Sequence, residues 1–346
     1  MSTGRPDQDG SLRAAVEASI AGRRTAALTA RAGHLMATYR SGRLPGKPII
    51  TTDEDAAAYA AYRMPATVAA AAAAIHQTRK SLPGWAPARL LDLGAGTGGT
   101  AWATVEQLPS IRSVTLLEQS AEAAGLGRAI LAASGSEALR HADWRRWRLA
   151  ASSGQVPPPL PAADLVTAAY LLGELSSQQQ RELVELTMAA ASVIVFIEPG
   201  TPAGYRRVLA ARSQLLAGGF TLVAPCPHQL TCPLDVPGDW CHFAARVQRS
   251  AIHRQAKGGE LSYEDEKFSY VAATRGLGDS RPAARIVRRP QQRKNLVSLS
   301  LCVQNGTVRQ ELVTKSEGPY YRAARKASWG DSWATGTRSD SSDRQI

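Results

Sequence analysis

Between residues 88 and 105 the chain reads as a strand, a glycine loop and a helix in immediate succession, and this sets the class of fold. The apolar run from Ala88 to Leu93 (ARLLDL) leads into Gly94 to Gly99 (GAGTGG), and Thr100 to Val105 (TAWATV) suits a helix. Glycines let the backbone approach a ligand closely, and the following helix turns unpaired N–H groups toward it. Further strand-like runs extend from Ser113 to Leu117, Ala163 to Tyr170 and Ser192 to Glu198, with helix-compatible segments between them. Strands alternating with helices over residues 85–225 imply an α/β fold with a parallel sheet.

The spacing of Gly94, Gly96 and Gly99 also matches a dinucleotide fingerprint, so the glycines alone leave the ligand open. Asp92 breaks the tie. An acid two residues before the first glycine gives Asp-x-Gly-x-Gly-x-Gly over Asp92, Gly94, Gly96 and Gly98, which resembles the S-adenosylmethionine loop of Rossmann-like class I methyltransferases. That resemblance implies S-adenosylmethionine as cofactor, with Asp92 helping to place its methionine end. Glu118 closes the second strand, where an acid would accept hydrogen bonds from ribose hydroxyls. Methyl transfer itself has less support and the catalytic residues stay unknown. The Asn/Asp-Pro-Pro-aromatic motif of amino-methylating enzymes is absent after the fourth strand, where YLLGEL stands from Tyr170 to Leu175.

All four cysteines fall in the second half: Cys226, Cys232 and Cys241 within sixteen positions, and Cys302 further on. Pro227 and Pro233 follow the first two directly. Four thiolates suit a closed tetrahedral zinc site or a four-iron cluster. The close Cys-x-x-Cys pairs usual in zinc ribbons are absent, which leans toward iron and sulfur, while unrelated buried cysteines stay open as the plain alternative. Disulfides would need an oxidising compartment, and nothing in the sequence points to export. The Pro-Cys and Thr-Cys steps superficially match dipeptides of RNA cytosine-5 methyltransferases. Lying six residues apart beyond the last readable strand, they suit ligand duty better. A radical S-adenosylmethionine enzyme is disfavoured, because a fourth thiolate would close the iron such chemistry needs open.

At 346 residues the chain is long enough for about two domains. Its net charge of +12 is uneven, with fourteen Lys and Arg against six Asp and Glu from Arg275 to the C-terminus. Such a surplus attracts nucleic-acid phosphate. The N-terminal stretch has no apolar core of signal-peptide length, and no window reaches the length of a membrane span, so a soluble, cytoplasmic protein is expected.

In the second half, the stretch from Trp240 to Lys257 reads as a helix with Trp240, Phe243, Ala244, Val247 and Ala251 on one stripe and Arg246, Arg249, His253 and Lys257 elsewhere, giving a basic face. His228, His242 and His253 are read as structural or RNA-facing, the four thiolates being a complete set. The acidic-aromatic run from Tyr263 to Tyr270 reads either as a contact to neighbouring arginines or as a solvated loop. Leu296 to Lys315 reads as a hairpin turning at Asn305 and Gly306. Its alternation puts Val297, Leu299, Leu301 and Val303 on one face, and Ser298, Ser300 and Cys302 on the other. Arg288, Arg289, Arg293 and Lys294 precede the hairpin, and Arg322, Arg325 and Lys326 follow it beside Tyr320, Tyr321 and Trp329. Basic residues interleaved with aromatics suit irregular RNA, with core packing as the alternative for the aromatics.

Taken together, DLGAGTG from Asp92, YLLGEL from Tyr170, EPGTP from Glu198, PCPH from Pro225, the Cys232 step, DWCHF from Asp239, YEDEKFSY from Tyr263, RRP from Arg288, the Cys302 strand and YRAARKASWGD from Tyr321 resemble the methyltransferase-like proteins of the small ribosomal subunit, over roughly residues 35–335. The resemblance implies a factor that binds small-subunit ribosomal RNA during assembly or translation. It further implies a 4Fe-4S cluster on Cys226, Cys232, Cys241 and Cys302. The alternatives are an active ribosomal RNA methyltransferase and a zinc-stabilised RNA-binding module. The expected organisation is a helical region over 1–84, the S-adenosylmethionine-binding domain over 85–224, the cysteine-bearing, RNA-binding region over 225–333 and a disordered tail over 334–346.

Overall fold

The computed structural model describes residues 8–40, 49–149, 159–248 and 263–334. Four helices come first: α1 (Gln8–Ser19), α2 (Thr25–Arg40), α3 (Asp53–Tyr62) and α4 (Met64–Ser81). Thr52 caps α3 by accepting the Asp55 N–H at 3.1 Å, and the Asp55 carboxylate accepts the Thr51 and Thr52 N–H groups in return. Arg31 reaches across from α2 to that same carboxylate, so a single cap residue ties two helices together. The alanine-rich run becomes the inner face of α4. Ala70, Ala71, Ala74 and Ile75 are fully buried, and their small side chains bring the helix close against the sheet.

The sheet begins with β1 (Arg89–Leu93), α5 (Gly99–Gln107), β2 (Ser113–Glu118), α6 (Ala121–Ala132), α7 (Glu137–Arg140) and β3 (Asp143–Arg146). It continues with β4 (Ala163–Ala169), α8 (Ser177–Ala190), β5 (Ala191–Pro199), α9 (Pro202–Ala217) and β6 (Thr221–Ala224), and is completed by β7 (Phe243–Gln248) and β8 (Tyr263–Thr274). The strand order is β3-β2-β1-β4-β5-β8-β6, with β7 also paired to β8. The first five strands are parallel, whereas β8 runs antiparallel to β5, β6 and β7. This is a Rossmann-like sheet with one reversed strand inserted before the last. The central strands are mostly apolar, as strands covered on both faces tend to be, with Asp92, Thr167 and Glu198 as buried polar exceptions. Val193, Ile194, Val195 and Phe196 of β5 are all fully buried.

Two sequence expectations change here. The helix expected from Trp240 does not form: residues 240–242 are irregular and Phe243–Gln248 is a strand. Phe243, Ala245 and Val247 point inward while Arg246 and Gln248 stay exposed, a period of two that pairs with residues 263–268 of β8. The unpaired edge of β8 supplies the hydrogen bonds that decide between the two periods. The remainder of that expected helix, with Arg249, Ala251, His253 and Lys257, lies outside the described residues. The main sheet also runs past residue 224, since β7 and β8 come from beyond it. The segment 225–274 is thus shared between the sheet and the cysteine-bearing region.

A second, five-stranded sheet holds β9 (Ala284–Ile286), β10 (Gln291–Arg293), β11 (Leu296–Val303), β12 (Val308–Thr314) and β13 (Ser332–Trp333), with α10 (Pro319–Lys326) packed on it. β11 and β12 form the expected hairpin. Gly306 sits at φ +81°, and Asn305 accepts the Thr307 N–H. Val297, Leu299 and Leu301 join Tyr321 and Trp333 in this sheet's own core. Cys302 points the other way, into a small cluster with Leu234 and Val287.

Candidate functional sites: a cleft over the glycine loop and a four-cysteine centre

The carboxyl ends of β1, β2 and β4 are neighbours in the sheet, at the point where the strand order reverses. Each delivers part of the first site. From β1 comes the glycine loop, in which Gly94, Gly96 and Gly98 all adopt positive φ, so that it turns tightly and leaves its backbone open to a ligand. From β2 comes Glu118, whose two oxygens accept the Gly96 N–H at 2.7 Å and the Ser120 N–H at 2.8 Å. Beyond β4 comes Tyr170, at φ 59°. These border a cleft of about 920 Å³, counting the part open to solvent, with Tyr59, Leu171 and Glu174 on its walls.

Asp92 lies beneath the loop at 1% exposure, with one oxygen taking the Thr167 hydroxyl at 2.7 Å and the other without a partner. Burial pushes its carboxyl up to about 7, aided by the charge of Glu118 and opposed by Thr167. Burial likewise pushes Glu174 up to about 8, with Glu118 and Glu198 adding repulsion. A cleft with several carboxyls raised by burial favours a ligand that brings positive charge and hydrogen-bond donors. The lone pairs that Glu118 keeps on the cleft wall fit the two ribose hydroxyls of S-adenosylmethionine, and the Asp92 carboxyl beneath the loop can brace the turn that would hold it. When bound, S-adenosylmethionine supplies an electrophilic methyl.

Tyr170 is fixed from three sides. Its N–H donates to Ile197 O, its hydroxyl donates to Glu266 of β8 at 3.0 Å, and Arg63 covers its ring at 4.4 Å while pairing with Glu266 at 2.8 Å. The two motifs YLLGEL and EPGTP form one unit. Glu198 accepts the Leu172 N–H at 3.0 Å and pairs with Arg207 at 2.7 Å.

The second site lies where the loop between β6 and β7 meets the second sheet. Cys226 follows β6, Cys232 is within the loop, Cys241 precedes β7 and Cys302 is on β11. Cys232, Cys241 and Cys302 gather around Leu234 and Val287, while Cys226 packs against the underside of the main sheet. Burial raises the Cys241 thiol well above its ordinary range, and each of the other three cysteines adds to the shift. Burial pushes Cys302 up to about 12, with Cys226 and Cys232 contributing. All four thiols thus lie within electrostatic reach of one another. Among the described residues no three His, Cys, Asp or Glu side chains are set to hold one metal ion. Four thiols are a donor set that suits either a four-iron cluster or a single zinc ion.

Around these thiols stand His228, read from sequence as structural or RNA-facing, and three residues that the sequence did not single out, Arg212, Tyr205 and Arg285. His228 lies with Nε2 3.3 Å from the Cys302 sulfur, its Nδ1 buried without a partner. Arg212 and Tyr205, two turns apart on α9, face Cys226 and Cys232. Arg285 of β9 is fully buried and donates to Pro225 O, Gln77 and Gly330 O, spanning the loop, α4 and the second sheet. In sequence, a buried arginine looks like any surface one.

The basic candidates divide into two sets. Arg246 pairs with Asp265 at 3.1 Å and lies over the Tyr263 ring, Arg289 pairs with the same Asp265 at 2.7 Å, and Arg288 pairs with Asp239. The two pairs with Asp265, and that of Arg63 with Glu266, give the acidic run of β8 its role as a partner for arginines. Arg293, Lys294, Arg322, Arg325 and Lys326 are exposed, and none forms an ion pair among the described residues. They sit together, since Gln292 of β10 donates to the Arg325 carbonyl at 3.0 Å. The nearby aromatics serve the core: Tyr321 is buried, Tyr320 packs on Trp333 and Trp329 packs edge-on against His242. Arg249 lies outside the described residues.

A family model described as mitochondrial small ribosomal subunit Rsm22 matches residues 53–334. The chain belongs to the Rsm22 family. Among curated Rsm22 relatives, the human mitochondrial ribosome assembly protein METTL17 is 29% identical over 292 residues, covering 79% of this chain and 61% of the human protein. The Rsm22-cox11 tandem protein 2 of Schizosaccharomyces pombe is 27% identical over 215 residues, covering 48% of this chain and 28% of that protein. The chain thus spans about three fifths of the human relative and little more than a quarter of the fission-yeast one. Among solved structures, magnesium protoporphyrin IX methyltransferase of Synechocystis with bound S-adenosylmethionine gives a TM-score of 0.36 at 13% identity, covering 71% of this chain and 97% of that one, a likeness too distant to argue from. Among the described residues no helix is long and apolar enough to cross a membrane.

Proposed function

We propose that this Rsm22-family protein is an assembly or translation factor for the small ribosomal subunit that holds ribosomal RNA on the basic face of its second sheet. The four cysteines carry a 4Fe-4S cluster that fastens this sheet to the main one, and the cleft over the glycine loop binds S-adenosylmethionine. The observation that carries the reading is the meeting of three cysteines of the β6–β7 loop with a fourth on β11, at the junction of the two sheets and on a strand whose neighbours bear the basic residues that form no ion pair among the described residues. A thiolate centre there gives the second sheet a fixed position that its own small core does not supply.

Binding without methyl transfer is the better reading of the cleft. The segment after β4, where an amino-methylating enzyme presents its acceptor motif, is occupied by Tyr170, held by Glu266 and Arg63, and by Leu171, whose side chain comes within 2.9 Å of where a Gly94 Cβ would stand. The test is an incubation with small-subunit ribosomal RNA and labelled S-adenosylmethionine. The reading expects salt-dependent RNA binding, with methyl incorporation no higher than in Asp92→Ala. Incorporation that Asp92→Ala abolishes would instead make the protein an active methyltransferase.

A further inference from the structure

We propose that Arg212 and Arg285 are the resident counter-charges of the four-cysteine centre, matched to a loaded centre of two net negative charges and raising its reduction potential. The inference rests on the cluster reading above. Arg212, from α9, is 5% exposed and Arg285, from β9, is 1% exposed. Among the described residues, the oxygen atoms that accept their hydrogen bonds are all neutral. Arg212 donates to Leu230 O. Arg285 donates to Pro225 O at 2.9 Å, Gly330 O at 3.0 Å, the Ser332 hydroxyl at 3.1 Å and the Gln77 amide oxygen. Neither pairs with a carboxylate among the described residues. Each also keeps a buried N–H without a partner, Nε of Arg212 and Nη2 of Arg285.

A guanidinium does not shed its proton in a protein, so this arrangement locks two positive charges inside with nothing negative in contact. Both stand beside the thiols: Arg285 donates to the carbonyl of Pro225, the chain neighbour of Cys226, and Arg212 is hydrogen-bonded to the Cys226 side chain. Four neutral thiols would leave both guanidiniums uncompensated, which is costly in a poorly solvated site. Four thiolates around a cluster core of two positive charges leave two negative charges, and the two arginines balance them. Positive charge held at this distance stabilises the more negative, reduced form of such a centre, and so raises its potential.

The experiment uses the full chain purified anaerobically as wild type, Arg212→Gln and Arg212→Lys. Iron and sulfide content, iron loss to a chelator and the midpoint for one-electron reduction by dithionite are measured on each. The proposal expects Arg212→Gln to lose iron several-fold faster and its remaining cluster to reduce at lower potential, with Arg212→Lys restoring both. Iron retention and midpoint in Arg212→Gln equal to wild type would overturn it. Should Arg212→Gln not be soluble, the lysine variant decides the matter: wild-type iron content and midpoint uphold the charge argument, and a lowered midpoint in folded Arg212→Lys overturns it. A wild-type protein with neither iron nor sulfide would overturn the cluster reading itself.

Discussion

Asp92 carries a measurable cost in the ligand-free protein. Its carboxyl is raised from 3.8 to about 7, so between those values the folded state holds a proton that the unfolded state has released. A raised acid contributes stability at low pH, and that contribution is lost as pH climbs through the folded value, each unit being worth about 1.4 kcal/mol. Thermal unfolding of the ligand-free protein should therefore fall in midpoint from about pH 5 to about pH 8, and Asp92→Asn should flatten that slope. Identical slopes would remove Asp92 from the account. Glu118 makes a different prediction. Its carboxylate organises the loop through Gly96 and Ser120 and retains lone pairs toward the cleft. Replacing it by alanine should weaken S-adenosylmethionine binding by about tenfold or more, one to two buried hydrogen bonds' worth, as read by calorimetry.

At the scale of elements, the close seating of α9 against β5 depends on one glycine. A Cβ on Gly204 would stand 2.0 Å from the Pro199 carbonyl oxygen, whereas one on Gly125, in α6, would meet nothing within 4 Å. Gly204→Ala should cost on the order of 4 kcal/mol or prevent folding, while Gly125→Ala should gain about 0.5–1 kcal/mol, both by denaturant unfolding. Elements whose local pattern agrees with their surroundings were legible in the sequence. The glycine loop, the four parallel strands around it and the β11–β12 hairpin, down to the outward turn of Cys302, all follow from periodicity and turn chemistry. Phe243–Gln248 was not, because Ala244 and Ala245 are both apolar, so Phe243, Ala244 and Val247 fit a helical stripe as well as Phe243, Ala245 and Val247 fit a strand, and the edge of β8 that selects the strand lies twenty residues on. The partners of the site were invisible for a related reason. Arg63, Arg212 and Arg285 are ordinary surface residues until the fold closes around them.

For the whole molecule, the division of the basic residues into paired and unpaired sets predicts where RNA is held. Charges already spent on Asp239 and Asp265 offer little to phosphate, while Arg293, Lys294, Arg322, Arg325 and Lys326 are free to displace counterions. Alanine at Arg322, Arg325 and Lys326 together should lower affinity for small-subunit ribosomal RNA and reduce the salt slope by about 2–3, and the Arg288→Ala, Arg289→Ala pair should change it less. The reverse ranking would move the footprint to the loop side. Everything in this arrangement depends on the junction between the sheets, and so on what the four cysteines hold. The most direct measurement is iron, sulfide and zinc analysis of the anaerobically purified protein, with Cys232→Ser beside it. The account predicts about four irons and four sulfides per chain, and their loss in the variant. Stoichiometric zinc without iron, or iron unchanged in Cys232→Ser, would contradict it.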